Sequence, residues 1–209
     1  KKAFYGENIQ TLYKIIDKKD FEIGEGIETR HNILPHYKKM IKDKIQIQKP
    51  MKVVMDCGNA AACINGPEVF KELGIEVKEL FCEADGNFPN HHPDPTVEKN
   101  LIDLISEVKK GGYDLGIAFD GDADRIGVVD EKGDIIWADQ LMAIFLPEII
   151  TNKEDVLFDV KCSQALEDMI LHYGGNPVMC KTGHSLIKQK MTELNCKLGG
   201  EMSGHIFFA

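Results

Sequence analysis

The chain has 209 residues, of which 43% are hydrophobic and 28% are charged, and its formal net charge is −9. This composition is typical of a globular protein with one large domain or two small ones. The acidic balance argues against a nucleic-acid surface or a membrane as the main partner, but it leaves room for a local basic pocket that binds anionic substrates. No apolar run has the length of a membrane helix, and the first residues do not form a signal peptide.

The cysteines are dispersed and include no C-x-x-C pair: they are Cys57, Cys63, Cys82, Cys162, Cys180 and Cys196. This pattern is typical of reduced thiols and argues against a disulfide framework or a zinc site. We therefore expect a cytoplasmic protein. The chain begins with Lys-Lys-Ala-Phe and ends in an apolar segment without a polar tail. We expect it to be a fragment of a longer protein.

The predicted elements begin with two short helices, since apolar residues recur there at helical spacing. These helices cover residues 8–18 and 33–45, and a linker follows at 46–50. From residue 51 strands alternate with helices. The predicted strands are 53–55, 75–81, 113–119, 156–160 and 177–180, with a hairpin at 126–129 and 135–137. The predicted helices are 67–73, 97–109, 140–150, 163–173 and 185–194, the last with Ser185 as its N-cap. This order predicts an α/β fold of two units, each a mixed or parallel sheet between helices.

The most informative segment is Asp120-Gly-Asp-Ala-Asp-Arg125, directly after the 113–119 strand. Three carboxylates at alternate positions repel one another unless a positive charge lies among them. Hard divalent cations such as Mg²⁺ prefer carboxylate oxygens. Loops at the carboxyl ends of strands are also where α/β proteins place their sites. The segment therefore predicts a magnesium site made by Asp120, Asp122 and Asp124.

Three alternatives exist for this segment. It could be a solvated acidic turn, although three alternating carboxylates beside a strand weaken that interpretation. It matches the first positions of an EF-hand, but the sixth position of an EF-hand requires Gly and here holds Arg125, and the flanks resemble strands. It could also carry the nucleophilic aspartate of an aspartyl-phosphate phosphatase, in which Arg125 has no assigned role.

Other loops follow strands at 56–60, 161–163 and 181–184, and we expect them to converge with the acidic loop on one rim. Lys161, Lys181 and His184 would then face a common cleft, although Lys161 could equally extend into solvent. The turn at 182–185 leads into a helix N-terminus and so suits a phosphate or sugar hydroxyls.

The Gly-flanked loop at 199–205 contains Glu201, Ser203 and His205. Glu201 can accept hydrogen bonds from two neighbouring hydroxyls, as a sugar would offer, and the other two add polar groups; the alternative is an ordinary mobile loop. His91, His92 and Asp94 stand among prolines, which favours a rigid turn over a metal site.

The chain resembles the α-D-phosphohexomutases, and among them the bacterial phosphomannomutase/phosphoglucomutase type. Four segments carry the resemblance: Asp120-Gly-Asp-Ala-Asp-Arg125, Asp85-Gly-Asn-Phe-Pro-Asn-His-His-Pro-Asp-Pro95, Lys181-Thr-Gly-His-Ser-Leu-Ile-Lys188 and Gly200-Glu-Met-Ser-Gly-His205. Ala60 and Ala123 replace glycines that are common in the family. The resemblance implies that residues 1–45 are the tail of domain one, 46–133 a metal-binding domain two and 134–209 an incomplete sugar-binding domain three.

The resemblance also implies an activity, the interconversion of hexose 1-phosphate and hexose 6-phosphate through a phosphoserine and a bisphosphate intermediate. Asp120, Asp122 and Asp124 would hold Mg²⁺, and Arg125 would act beside the transferred phosphate. The substrate-binding residues would be Lys161, His184, Glu201, Ser203 and His205.

The implied partners are hexose phosphates, with hexose 1,6-bisphosphate as activator, no nucleic acid and no membrane. The parent would be a cytoplasmic phosphoprotein of carbohydrate metabolism, either a monomer or a dimer. The 209 residues contain neither the phosphoserine motif nor the fourth domain, so we expect the chain alone to be inactive. A non-catalytic module that binds magnesium or a sugar phosphate and an aspartyl-phosphate phosphatase stay open as alternatives.

Overall fold

The computed structural model describes residues 5–209; residues 1–4 of the predicted domain-one tail lie outside the described residues. The helices are α1 Glu7–Lys18, α2 Leu34–Lys44, α3 Gly66–Glu72, α4 Ile102–Val108, α5 Ala138–Ile149, α6 Gln164–His172 and α7 His184–Leu194. The strands are β1 Lys52–Asp56, β2 Glu76–Leu80, β3 Leu115–Phe119, β4 Ile126–Asp130, β5 Ile135–Ile136, β6 Asp155–Asp159, β7 Asn176–Cys180, β8 Leu198–Gly200 and β9 Ile206–Phe208. The α/β prediction is confirmed.

The strands form two mixed sheets with the same internal plan. The first has the order β2-β1-β3-β4-β5 and the second the order β7-β6-β8-β9. In each sheet, the first strand in chain order pairs in parallel with the second and with the third. The third strand then pairs antiparallel with the fourth. The loop between β3 and β4 in the first sheet therefore corresponds to the loop between β8 and β9 in the second.

Each sheet has its own hydrophobic core. Val54 and Val129 of the first sheet pack against Leu104 of α4, while Phe158 of the second packs against Met142 of α5 and residues of α6. The strand β1 is buried on both faces, as expected for a central parallel strand. The sheets therefore form as separate packed units, and the chain changes from one to the other through β5 and α5.

The two N-terminal helices differ from the rest because none of their residues is buried. Pro35 lies in the first turn of α2, where its missing N–H costs no helical hydrogen bond. Lys42 of α2 forms an ion pair with Glu72 of α3 at 3.2 Å. This side of α2 is thus attached to the first sheet unit mainly through charged groups.

Two local predictions were wrong in detail. Helix α7 begins at His184, so Ser185 is not its N-cap; Gly183 takes that place, with φ 138° and no side-chain cap. Only glycine adopts this φ readily, and its N–H is used by the carboxylate of Glu201. The predicted 97–109 helix is divided into a short 3₁₀ turn, Glu98–Leu101, followed by α4.

No helix within residues 5–209 has both the length and the apolar composition needed to span a bilayer.

Candidate metal centre and adjoining loop

The acidic loop connects β3 to β4 and is organised by one buried carboxylate. Asp120 is 1% exposed. Its Oδ1 accepts hydrogen bonds from the backbone N–H groups of Asp124 and Arg125, each at 3.0 Å. Its Oδ2 accepts one from Nε of Arg125 at 2.7 Å. The carboxylate thus fixes the loop and holds a guanidinium beside it.

The other two carboxylates of the loop face solvent. Asp120, Asp122 and Asp124 each offer an oxygen within 4.8 Å of the others. The negative charge of Asp124, followed by the smaller effects of desolvation and of the charge of Asp120, raises the pKa of Asp122. Because this repulsion would be relieved by a divalent cation, the oxygens fit a hard metal ion. The flanking elements are strands, which excludes an EF-hand.

The turn that follows β1 contacts the acidic loop. The N–H of Ala61 donates to the carbonyl of Gly121 at 3.3 Å. Gly58 has φ 52°, and a Cβ there would lie 2.8 Å from Cβ of Pro93, so this close approach requires glycine. The proline-rich segment 91–95 is therefore packed onto the same turn.

The first histidine of that segment has a structural partner. His91 contributes Nε2 to Oδ2 of the fully buried Asp56 at 3.0 Å, and its Nδ1 contacts the carbonyl of His92 at 3.0 Å. The hydrogen bond to Asp56 raises the pKa of His91 against the opposing effect of burial. Asp94 accepts hydrogen bonds from Thr96 and lies 3.7 Å from Nη1 of Arg125. These side chains behave as parts of a rigid turn.

The loop between β8 and β9 gathers its polar groups around Glu201, which is 2% exposed. Its Oε1 accepts from the N–H of Gly183. Its Oε2 lies 2.6 Å from Nδ1 of His205 and 3.3 Å from Oγ of Ser203. Oγ of Ser203 lies 3.0 Å from Nδ1 of His205. The three predicted sugar-binding residues therefore form one hydrogen-bonded cluster.

The two loops meet across the boundary between the sheets. Nε2 of His205 lies 2.9 Å from Oδ1 of Asp124, and the N–H of Ile126 donates to the carbonyl of Gly204 at 3.1 Å. Gly204 has φ 98°, and a Cβ there would approach the carbonyl of Ile126 to 2.7 Å. The ring of His184 is centred 5.6 Å from that of His205.

The remaining predicted residues are less closely joined. Lys161 is exposed, and no hydrogen bond or ion pair of its ammonium group occurs within residues 5–209. The loops at 161–163 and 181–184 lie at the edge of the second sheet, and those at 56–60 and 120–125 at the edge of the first. These loops thus belong to two different sheets, and the 201–205 loop contacts both Asp124 of the first and Gly183 of the second.

One residue of the site was missed by sequence reasoning. Asp159 ends β6 and is fully buried. Its carboxylate accepts hydrogen bonds from the hydroxyl of Thr182 at 2.8 Å, the N–H of Met202 at 3.1 Å and the thiol of Cys162 at 3.3 Å. It therefore connects three loops. The available signal was a carboxylate that ends an apolar strand, as Asp56 does in the first sheet.

Comparison with known proteins places this geometry in a family. A profile described as phosphoglucomutase/phosphomannomutase, alpha/beta/alpha domain II, matches residues 35–133. A second profile, for alpha/beta/alpha domain III of the same family, matches residues 137–209.

Relatives of known name agree. The chain is 52% identical to a phosphomannomutase/phosphoglucomutase of Pseudomonas aeruginosa, over 97% of this chain and 44% of that protein. It is 44% identical to a phosphoglucomutase of Neisseria meningitidis, over 97% of this chain and 45% of the relative. The chain thus spans less than half the length of these relatives.

A solved structure shows the same architecture. A phosphoglucomutase/phosphomannomutase family protein from Burkholderia thailandensis matches with a TM-score of 0.94 and 44% identity, over 99% of this chain and 46% of the other. The chain therefore belongs to the phosphoglucomutase/phosphomannomutase family, of which it spans the second and third α/β/α domains.

Proposed function

We propose that this chain supplies the metal-binding and sugar-binding loops of a phosphohexomutase. The parent protein would interconvert hexose 1-phosphate and hexose 6-phosphate through a phosphoserine and a bisphosphate intermediate. The contact between Asp124 and His205 carries the proposal, because it joins the acidic loop and the Gly-Glu-Met-Ser-Gly-His loop in one site. A site that binds sugar hydroxyls beside a metal-binding loop suits the transfer of a phosphoryl group to a sugar.

Within this proposal residues 1–45 are the tail of domain one, and the predicted ranges 46–133 and 134–209 of the second and third domains change only at the boundary between them. The strand β5 belongs to the first sheet, so we place the structural change between the domains just after it. The phosphoserine motif is not among the 209 residues. The parent is therefore the unit that turns over substrate, and the chain alone is expected to be inactive.

Asp120, Asp122 and Asp124 would hold Mg²⁺, since their oxygens converge and the two exposed carboxylates repel each other. When bound, the metal would neutralise negative charge at the transferred phosphoryl group. Arg125 would present its guanidinium beside the same group, with Nε kept on Asp120. That ion pair orients the guanidinium, whose terminal nitrogens, one of them 3.7 Å from Asp94, would reach a phosphate oxygen.

Glu201, Ser203 and His205 would bind the sugar. The Glu201 carboxylate is positioned by the N–H of Gly183 and can exchange its present partners for two sugar hydroxyls. His205 would hold a proton between Glu201 and Asp124. His184 lies beside His205, and Lys161 would reach a substrate phosphate from the edge of the second sheet.

The partners of the parent would be hexose phosphates, with hexose 1,6-bisphosphate as activator, and the parent would be a cytoplasmic monomer or dimer. The acidic net charge supports the exclusion of nucleic acid and membrane surfaces.

The phosphatase alternative is disfavoured by the environment of its nucleophile. Asp120 is buried, and its Oδ2 is paired with the guanidinium of Arg125 at 2.7 Å. This ion pair lowers the nucleophilicity that an attacking carboxylate needs, whereas the lone pairs that the hydrogen bonds leave can still bind a metal ion.

The test uses the full-length protein that contains this chain, assayed for conversion of glucose 1-phosphate to glucose 6-phosphate with Mg²⁺ and glucose 1,6-bisphosphate. Asp122→Asn should lower kcat by about 100-fold, because a charged ligand beside the reacting group is lost. Asp134→Asn, an exposed aspartate in the hairpin before β5, should leave kcat unchanged.

Release of inorganic phosphate without isomerisation would instead indicate a phosphatase. Binding of Mg²⁺ or hexose phosphate by the full-length protein, without turnover of any hexose phosphate, would indicate a non-catalytic module.

A further inference from the structure

Two thiols face each other at the ends of β1 and β2, outside the group of residues used above. Cys57 is fully buried, and Cys82 is partly exposed. Their Sγ atoms lie 3.2 Å apart, and one thiol donates a hydrogen bond to the other.

We propose that Cys57 and Cys82 form an oxidisable pair, which a peroxide converts into an intrachain disulfide. The inference is independent of the mutase proposal, because it depends only on the position and chemistry of the two thiols.

The backbone holds the two sulfurs in bonding range. The strands β1 and β2 are parallel neighbours with Asp56 opposite Leu80, and the N–H of Cys57 donates to the carbonyl of Leu80 at 3.1 Å. A disulfide requires an S–S distance of about 2.05 Å. The sulfurs therefore need to approach by only about 1 Å, which side-chain rotation and a small backbone shift can supply.

The two thiols also have different reactivity. The hydrogen bond with Cys57 lowers the pKa of Cys82, and the same contact raises the pKa of Cys57. Since the thiolate is the nucleophile and Cys82 is the more accessible of the two, Cys82 should react first with an oxidant.

A third thiol is nearby but less suited to this reaction. The thiol of Cys63 donates to the carbonyl of Phe81 at 3.5 Å. Its pKa is raised, chiefly by burial. It therefore has less thiolate than Cys82.

The reaction balances with hydrogen peroxide as the only co-reactant. The Cys82 sulfur attacks one peroxide oxygen, the O–O bond breaks, and a sulfenic acid and one water form. The Cys57 sulfur then attacks the sulfenic sulfur, the S–O bond breaks, and the proton of Cys57 leaves with the oxygen as a second water. The two thiols lose two electrons in total, and the peroxide gains them.

The two cysteines are connected to the acidic loop through a backbone hydrogen bond and a shared hydrophobic cluster. Cys57 begins the turn whose Ala61 N–H binds Gly121, and the same core cluster includes Ala123 of the acidic loop. A disulfide would tie this turn to the end of β2.

The experiment treats the full-length protein with hydrogen peroxide, alkylates the remaining thiols and maps tryptic peptides without reduction. We expect peptides 53–71 and 79–99 to be cross-linked with the loss of two hydrogen atoms and to carry one alkyl group; because 53–71 contains both Cys57 and Cys63, fragmentation should place that alkyl group on Cys63. Reduction with dithiothreitol should return both thiols to the alkylated pool. This test uses the protein without any substitution, so its outcome does not depend on whether a variant folds.

Variants sharpen the assignment. Cys63→Ser should keep the cross-link, and Cys82→Ser should abolish it while Cys57 stays alkylatable after denaturation. A dominant cross-link through Cys63 would overturn the proposal. Conversion of Cys82 to sulfinic acid without any cross-link would overturn it as well.

Discussion

The two sheets of this chain follow the same strand order, and each places two buried carboxylates at its loop edge. Asp56 and Asp159 end the two central strands, while Asp120 and Glu201 begin the two corresponding loops. Their partners differ. In the first sheet Asp56 contacts His91 and Asp120 contacts Arg125. In the second, Asp159 has only neutral donors among the described residues, namely a hydroxyl, a backbone N–H and a thiol. Glu201 contacts a histidine, His205, as Asp56 contacts His91.

This difference separates two ways of burying a carboxylate. A cationic partner compensates the charge directly, whereas neutral donors each contribute one hydrogen bond. In the first sheet the cation Arg125 is a fixed part of the loop, and Asp122 and Asp124 are left exposed for a further cation. In the second sheet neutral donors gather three loops around Asp159, and the polar side chains that remain suit hydroxyl groups.

The largest expected effect comes from removing the cation of the first sheet. Arg125→Met should lower the free energy of unfolding by about 3 kcal/mol, because it leaves Asp120 buried with only backbone donors. Arg30→Met is the control, since the Arg30–Glu28 ion pair is almost fully exposed and should contribute less than about 0.5 kcal/mol. Urea unfolding measures both. Equal values for the two variants would show that the buried carboxylate does not depend on the guanidinium.

The second effect tests the contact between the sheets. Gly204→Ala should cost about 2 kcal/mol more than Gly111→Ala. Both glycines have positive φ, but only a Cβ at Gly204 meets a carbonyl, that of Ile126, at 2.7 Å. Gly111 has nothing within 4 Å and therefore reports backbone strain alone. If both variants unfolded at the same urea concentration, the two loops would not be in contact in solution.

A smaller effect is expected from the neutral donors of the second sheet. Thr182→Val removes one hydroxyl from Asp159 and should cost about 1 kcal/mol, the value of one hydrogen bond. The control is Thr192→Val, whose hydroxyl donates to a backbone carbonyl on an exposed helix face and should change stability by less than about 0.5 kcal/mol. A loss as large as that of Arg125→Met would erase the proposed distinction between the sheets.

The smallest effect concerns pH. The pKa of His91 is raised above its usual 6.5 by the hydrogen bond to Asp56. A raised folded-state pKa stabilises the protein fully below the unfolded value and loses that contribution as pH rises through the folded value. The Tm should therefore fall as pH rises above 6.5, and His91→Gln should reduce this slope. His92→Gln, at the neighbouring exposed position, should keep the slope; a slope that is unchanged in His91→Gln would contradict the assignment.

Several features were open to prediction from the sequence because they depend on residues close together in the chain. Alternation of apolar strands and helices predicted the α/β units, and the spacing of Asp120, Asp122 and Asp124 after a strand predicted that their oxygens converge. The loop with Glu201, Ser203 and His205 was also identified by its composition. In each case the chemistry lies within a few residues, so local geometry fixes it.

Other features were decided only by the tertiary structure. The contact between Asp124 and His205 joins residues far apart in sequence, and no local pattern specifies it. In the sequence Asp159 is simply the end of a strand, and only the fold brings three loops to its carboxylate. Cys57 and Cys82 are far apart in sequence, and only the pairing of β1 with β2 brings their thiols together. Sequence determined which groups this protein carries and which turns expose them. Packing of the two sheets decided which of these groups meet, because hydrogen bonds and charge pairs act over a few ångströms that only the folded chain defines.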